Sequence, residues 1–293
     1  QFANKDYRSS SIYALALSPD GKHLAMSGSD TTISLWNAQT GRPIKHIKAM
    51  PDLLNTLAFS PSSNSLLGAN WNKEVLIWDV NSGNVQSRLE GMNGGSSDVS
   101  FSPDGKYAAS VSTEKAVLLW SASDGHLLGK GLLGGRPYAL AFSKDTKELI
   151  AGSSDGTLRF FSVPKMDSLR SVKVNNTQSN RIDISPDGSL IAAAGENSRT
   201  LLLDYKTGRI TKELQGHSQR VWDVKFHPNG KLLATAGADL TVRLWDISTG
   251  ETLLVLSDFT NPVYNIQFSS DGARLYVNSS GSEIIVYDGT AVK

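Results

Sequence analysis

The 293-residue sequence contains no cysteine, which excludes disulfides, thiolate metal sites and cysteine nucleophiles together. A chain without thiols is indifferent to redox poise, so this absence does not fix the compartment. No stretch approaches the run of about 18 apolar residues that spans a membrane as a helix. Net charge is nearly missing as well, with 29 Lys and Arg against 28 Asp and Glu. The large basic field used for non-specific nucleic-acid binding is therefore lacking. Of the five histidines, none has a partner at His-x-x-x-His spacing, and there is no Gly-x-x-x-x-Gly-Lys-Ser/Thr phosphate loop. Neither metal nor cofactor is expected. The chain opens on Gln1 without a methionine; it is read as cytoplasmic, with an extracytoplasmic location after removal of a leader as the alternative.

What the sequence has is a repeat. An apolar residue before a Ser-Pro-Asp-Gly-like turn recurs at Leu17, Phe59, Phe101, Phe142, Ile184, Phe226 and Phe268, at spacings of 42, 42, 41, 42, 42 and 42 residues. A second anchor follows each by 19 residues: Trp36, Trp78, Trp120, Phe161, Leu203, Trp245 and Tyr287. Two independent anchors in one register give seven units. Each unit alternates with period two, as in Val224-Lys225-Phe226, and reads as four short strands. Proline presets φ in turns such as Ser102-Pro103-Asp104-Gly105, and glycine accepts a positive φ there. Gly41, Gly83, Gly125, Gly208 and Gly250 fall five residues after the second anchor and lead into an outer strand.

With Trp78-Asp79, Trp245-Asp246 and the opening Gly216-His217, the chain resembles the WD-repeat family over essentially its full length. Departures are Trp36-Asn37, Trp120-Ser121 and Phe161-Ser162. The expected fold is all-β: one domain over 1–293, a seven-bladed β-propeller of four-stranded antiparallel blades. The blades lie near 11–49, 53–91, 95–134, 136–174, 178–216, 220–258 and 262–293. The slot for the outer strand of blade 7 would start at 293, and the register run backwards places it at residues 1–8. The N-terminal segment is therefore expected to pair onto the last blade and close the ring, since an open ring leaves edges unpaired.

Several residue sets imitate chemistry. His217, Thr235, Asp239 and Trp245 combine a hydroxyl, an imidazole and a carboxylate. The resemblance implies instead a structural tetrad that ties the strands of one blade, and blade 6 alone has the full set. Gly152-Ser153-Ser154-Asp155-Gly156 fits the nucleophile elbow by letter, but it falls between two strands rather than at a strand-to-helix turn. On the first strands, the positions one and three before the anchor are small or polar and are expected nearer the axis. Arg181 would there approach Asp223, and Asp183 would approach Lys225. No catalytic residue is assigned.

The resemblance implies that partners meet the face built by the loops entering the first strands and by those between second and third strands. Tyr13, Tyr138, Trp222 and Tyr264 lie four residues before their anchors, Arg136 and Arg220 six before, and Trp71 on a loop between second and third strands. Aromatic and arginine side chains on such a rim suit a protein or peptide site. The expected function is a non-catalytic scaffold for a protein or peptide ligand, monomeric by itself, without nucleic acid or a membrane span. The alternatives are a propeller enzyme with its site at the channel mouth, or a structural domain of a larger multidomain protein.

Overall fold

A computed structural model of the chain describes residues 2–3, 11–48, 52–174, 179–279, 281 and 283–289. The sequence folds as an all-β propeller of seven antiparallel sheets, six of which follow chain order from the inner strand outwards through all four strands. The inner strands are Ile12–Leu17, Leu54–Phe59, Ser96–Phe101, Pro137–Phe142, Ser179–Ile184, Val221–Phe226 and Asn265–Phe268. Each packs against the next, and the last packs against the first. Blade 6 is representative, with Val221–Phe226, Leu232–Gly237, Val242–Asp246 and Thr252–Leu256 as its meander. Blade 7 has three full strands, Asn265–Phe268, Arg274–Asn278 and Glu283–Asp288. Against its outer edge lie only Phe2 and Ala3, opposite Ile284 and Glu283. The rest of the segment expected to close the ring, residues 1 and 4–8, falls outside the described residues.

The core is divided among the spaces between blades rather than pooled at a centre. Leu54, Leu57 and Trp78 of blade 2 pack with Ile33 and Leu35 of blade 1, and Tyr276 and Ile284 of blade 7 pack with Leu24 and Trp36 of blade 1. Five further clusters fill the intervening spaces in the same way. This accounts for the second anchor, because the large apolar side chain at that position, a ring in six blades and Leu203 in blade 5, fills the layer against a neighbouring blade. A large side chain buried there contributes about 1.5–3 kcal/mol. Across the seam of blades 7 and 1, Tyr276 Oη donates to the Ala38 carbonyl at 2.8 Å and Asn278 Nδ2 to that of Ile12 at 3.0 Å.

The turn chemistry follows the sequence closely. In blade 5, Ser185 Oγ donates to Asp187 at 2.6 Å and accepts from the Leu190 amide at 2.9 Å, while Gly188 takes a φ of 73°. The slot five residues after the second anchor has a positive φ at all five glycines found from the sequence; in blade 4 Met166 fills it, with a φ of 61°. No helix among the described residues is long and apolar enough to cross a membrane.

Candidate functional site

Three of the rim residues, Tyr13, Tyr138 and Trp222, stand at a recurring backbone irregularity. In blades 1, 2, 4, 5 and 6 the inner-strand residue four before the anchor is skipped in the pairing: Ile12 faces Gly28 and Ala14 faces Ser27, leaving Tyr13 without a partner. The same shift skips Tyr138 and Trp222. A β-bulge leaves one residue unpaired and re-aims its side chain. Tyr13 is consequently 45% exposed between buried Ile12 and Ala14. The inner strand begins where the second strand ends, as in the pairing of Leu54 with Asn70. Trp71, next after Asn70, therefore comes out at the same end of its blade as the bulged residues.

The seven expected rim residues form two groups and one outlier. In the first, Trp222 and Tyr264 meet with ring centroids 5.4 Å apart, and the Arg220 guanidinium lies 4.6 Å from the Trp222 ring centroid. Arg220 is paired with Glu196 at 2.7 Å. In the second, the Arg136 guanidinium lies 5.2 Å from the ring of Trp71 and 5.4 Å from that of Tyr138, linking blades 2 and 4 across blade 3. Tyr13 joins neither group through a ring contact. Glu196 was not singled out from the sequence. It stands twelve residues after its anchor, as Trp71 does, and following that column around the ring would have found it.

The tetrad residues of blade 6 form one relay. Trp245 Nε1 donates to Thr235 Oγ1 at 2.8 Å, Thr235 lies 2.7 Å from His217 Nε2, and His217 Nδ1 lies 2.9 Å from Asp239. Burial holds the imidazole below its ordinary pKa, against the pull of Asp239. A neutral ring with its proton on Nδ1 then donates to Asp239 and accepts from the Thr235 hydroxyl. Burial opposes ionisation of Asp239, but the Ser218 amide, His217 and Thr241 keep its carboxyl below the usual value. Thr235 is fully buried, and its oxygen already serves two partners. Ser154, the serine of the apparent nucleophile elbow, sits in a turn between the strands Glu148–Ser153 and Thr157–Ser162. Its Oγ accepts from the Arg136 amide at 3.0 Å.

Below the rim, the inner strands enclose a channel cavity of about 490 Å³. Arg181 lies 3.5 Å from Asp223, as expected, but its closer partner is Asp98 at 2.5 Å. It reaches Asp98 past blade 4, where the corresponding residue is the small Ala139. Burial works against the Arg181 charge, yet the two carboxylates carry its pKa above the ordinary value. Burial pushes the more distant Asp223 carboxyl up, against the pull of Lys225 and Arg181. Both carboxylates also cap neighbouring inner strands: Asp98 accepts from the Leu140 amide at 3.0 Å and Asp223 from that of Ile266 at 2.9 Å. Asp183 does come up beside Lys225, as expected, but the two form no salt bridge. Asp183 instead accepts from the Phe226 amide at 2.7 Å, because a backbone N–H of the next blade lies within reach of its short side chain.

Fold and repeat together define the class as a seven-bladed propeller built on a tryptophan-anchored repeat. The family described as WD domain, G-beta repeat, matches residues 5–37, 83–121, 130–162 and 208–246. The chain belongs to the WD-repeat family. No curated protein sequence gives a significant match.

Proposed function

We propose that the chain is a non-catalytic binding module that holds a protein or peptide partner on its loop-built rim. Tyr13, Trp71, Arg136, Tyr138, Arg220, Trp222 and Tyr264 supply the contacts. One observation carries this reading. Among the described residues, only three aromatic side chains are exposed, Tyr13, Trp71 and Tyr264, and all three belong to the rim. Aromatic and arginine side chains dominate binding hot spots because they offer large contact area at low rotamer cost. The test is affinity purification from the native source with the wild-type chain and with Trp222→Ala/Tyr264→Ala. The double variant should lose the partner while keeping its far-UV dichroism and a cooperative unfolding transition. A partner retained by that variant would move the site elsewhere.

The non-catalytic part of the reading rests on the side chains that could do chemistry. His217, Thr235 and Asp239 are spent on one another, and Asp98 and Asp223 on Arg181 and on backbone amides. The tetrad of His217, Thr235, Asp239 and Trp245 then acts as a tie within blade 6. Turnover in substrate profiling with and without divalent metal would overturn this part.

Residues 1–8 act, in the same proposal, as the outer strand of blade 7. The support is the pairing of Phe2 and Ala3 with Ile284 and Glu283, together with the cost of leaving that edge open. Deleting residues 1–8 should lower the melting temperature by about 5 °C or more; an unchanged value refutes closure by this segment.

A further inference from the structure

The two arginines of the rim stand in different electrostatic situations, although each stacks on aromatic rings. Arg220 is neutralised within the chain by Glu196 at 2.7 Å. Arg136 has no salt bridge to any carboxylate among the described residues. Its Nε is buried without a hydrogen-bond partner. Asp155, in the facing turn of the same blade, is committed to that turn, accepting from Ser153 Oγ at 2.6 Å and from the Thr157 amide at 3.0 Å.

The surroundings of Arg136 hold it in place. Its backbone is fixed from both sides by Ser154, whose Oγ accepts from the Arg136 amide at 3.0 Å and whose amide donates to the Arg136 carbonyl at 2.8 Å. Trp71 lies on Gly95 so closely that a Cβ there would come within 2.8 Å of the indole ring. The indole and the Arg136 backbone are thus held before any partner arrives, which reduces the entropy lost on binding. Tyr138, the bulged residue of the same inner strand, supplies the second ring.

From this geometry we infer that Arg136, flanked by Trp71 and Tyr138, is the receptor for a carboxylate side chain of an acidic peptide segment. The inference rests on the rim being the binding face and adds the chemistry of its occupant. A guanidinium presents paired N–H donors that match a carboxylate bidentately. Flanking rings screen the pair from water and leave room for the apolar stem of the partner's Glu or Asp. The counter-ion that Glu196 provides to Arg220 is, at Arg136, supplied by the partner.

The test starts by selecting a phage-displayed random peptide library on the intact chain. Recovered sequences should be enriched in Asp and Glu over the starting library. One recovered peptide is then made with Glu, Gln or phosphoserine at the enriched position, and each form is titrated by fluorescence anisotropy. The Glu form should lose about tenfold in affinity on Arg136→Gln and less than about twofold on Arg220→Gln. The Gln form should bind weakly to the wild type and be insensitive to Arg136→Gln. Arg136→Lys, which keeps charge but not the planar fork, should fall between. Peptides that need Trp222 and Tyr264 but show no acidic enrichment and no response to Arg136→Gln would overturn this inference and leave the rim reading standing. Binding of the phosphoserine form without the Glu form would overturn the carboxylate assignment. Failure to select any peptide would overturn both.

Discussion

Replacing Thr235 by valine removes one hydroxyl and leaves the shape of the side chain nearly unchanged. That hydroxyl oxygen accepts from Trp245 Nε1 at 2.8 Å and lies 2.7 Å from His217 Nε2, so the substitution orphans two buried groups at once. A neutral polar group left unsatisfied in the interior costs about 1–3 kcal/mol, which brackets the effect at about 2–6 kcal/mol. Blades 1 and 2 argue for the lower half, since Trp36 and Trp78 already bury an unpartnered Nε1. The expected loss is therefore about 2–4 kcal/mol. Urea denaturation followed by far-UV dichroism measures it, with the slope checked for a change in cooperativity. Two companions separate the polar effect from packing. Thr235→Ser keeps the oxygen and should cost under about 1 kcal/mol. Adding Trp245→Phe to Thr235→Val removes one of the orphans, so the pair should cost less than the sum of the single changes by about 1 kcal/mol. A Thr235→Val loss no larger than that of Thr235→Ser would refute the relay as an energetic unit.

Two further outcomes follow from the buried charges and the turns. Arg181→Met leaves Asp98 and Asp223 buried without their cation and should destabilise by about 3–5 kcal/mol, with part recovered by adding Asp98→Asn; a loss under about 1 kcal/mol would show that the bridge contributes little to the ring. Asp187 is held at about 2 by the hydroxyl and amide donors of Ser185 and Ser189. Because this folded value lies below the unfolded value of about 3.9, its contribution is present above about pH 4 and disappears as the pH falls through about 2. Asp187→Asn should therefore lower the urea midpoint slightly near neutrality, by under about 1 kcal/mol at so exposed a site, and leave it unchanged in strong acid. A difference that persists in acid would refute the linkage. Asp223, raised by burial, has the opposite sign: protonation relieves the native state as the pH falls towards the ordinary carboxylate value.

The blade count, the strand order and the glycine turns were legible because they rest on local rules repeated seven times. A 42-residue register and a residue with positive φ at a fixed offset need no knowledge of tertiary contacts. The rim column was legible too, but its cause was not. That Tyr13, Tyr138 and Trp222 are bulged depends on how the second strand pairs with the first, and bulges carry no fixed residue type. The Arg181–Asp98 bridge spans 83 positions and skips a blade. Reasoning from adjacent blades found Arg181 with Asp223 and missed the nearer partner, although the small Ala139 between them was a usable sign. Asp183 lies beside Lys225 as its column implies, but its carboxylate is taken by the Phe226 backbone amide, a partner that no residue type announces.

The column twelve residues after the anchor separates what the frame requires from what the rim adds. It holds Ser29, Trp71, Thr113, Ser154, Glu196 and Ala238 in the first six blades, so the fold accepts nearly any size there. Seven apolar layers between blades hold the ring, and they do so whether the indole is bonded to Thr235, to the Glu90 carbonyl as Trp120 is at 2.7 Å, or to nothing. An indole that is 49% exposed at Trp71 is therefore not explained by the frame. If Trp71 serves a partner, Trp71→Ala should cost only about 1–2 kcal/mol, the share of its area now covered by Gly95 and Arg136. Trp78→Ala, seven residues away in the core between blades 1 and 2, should cost about 3–5 kcal/mol. Urea midpoints of the two variants decide the matter. Equal losses would make Trp71 a cap over the core and remove it from the binding face; the unequal pair leaves its exposed half to a partner.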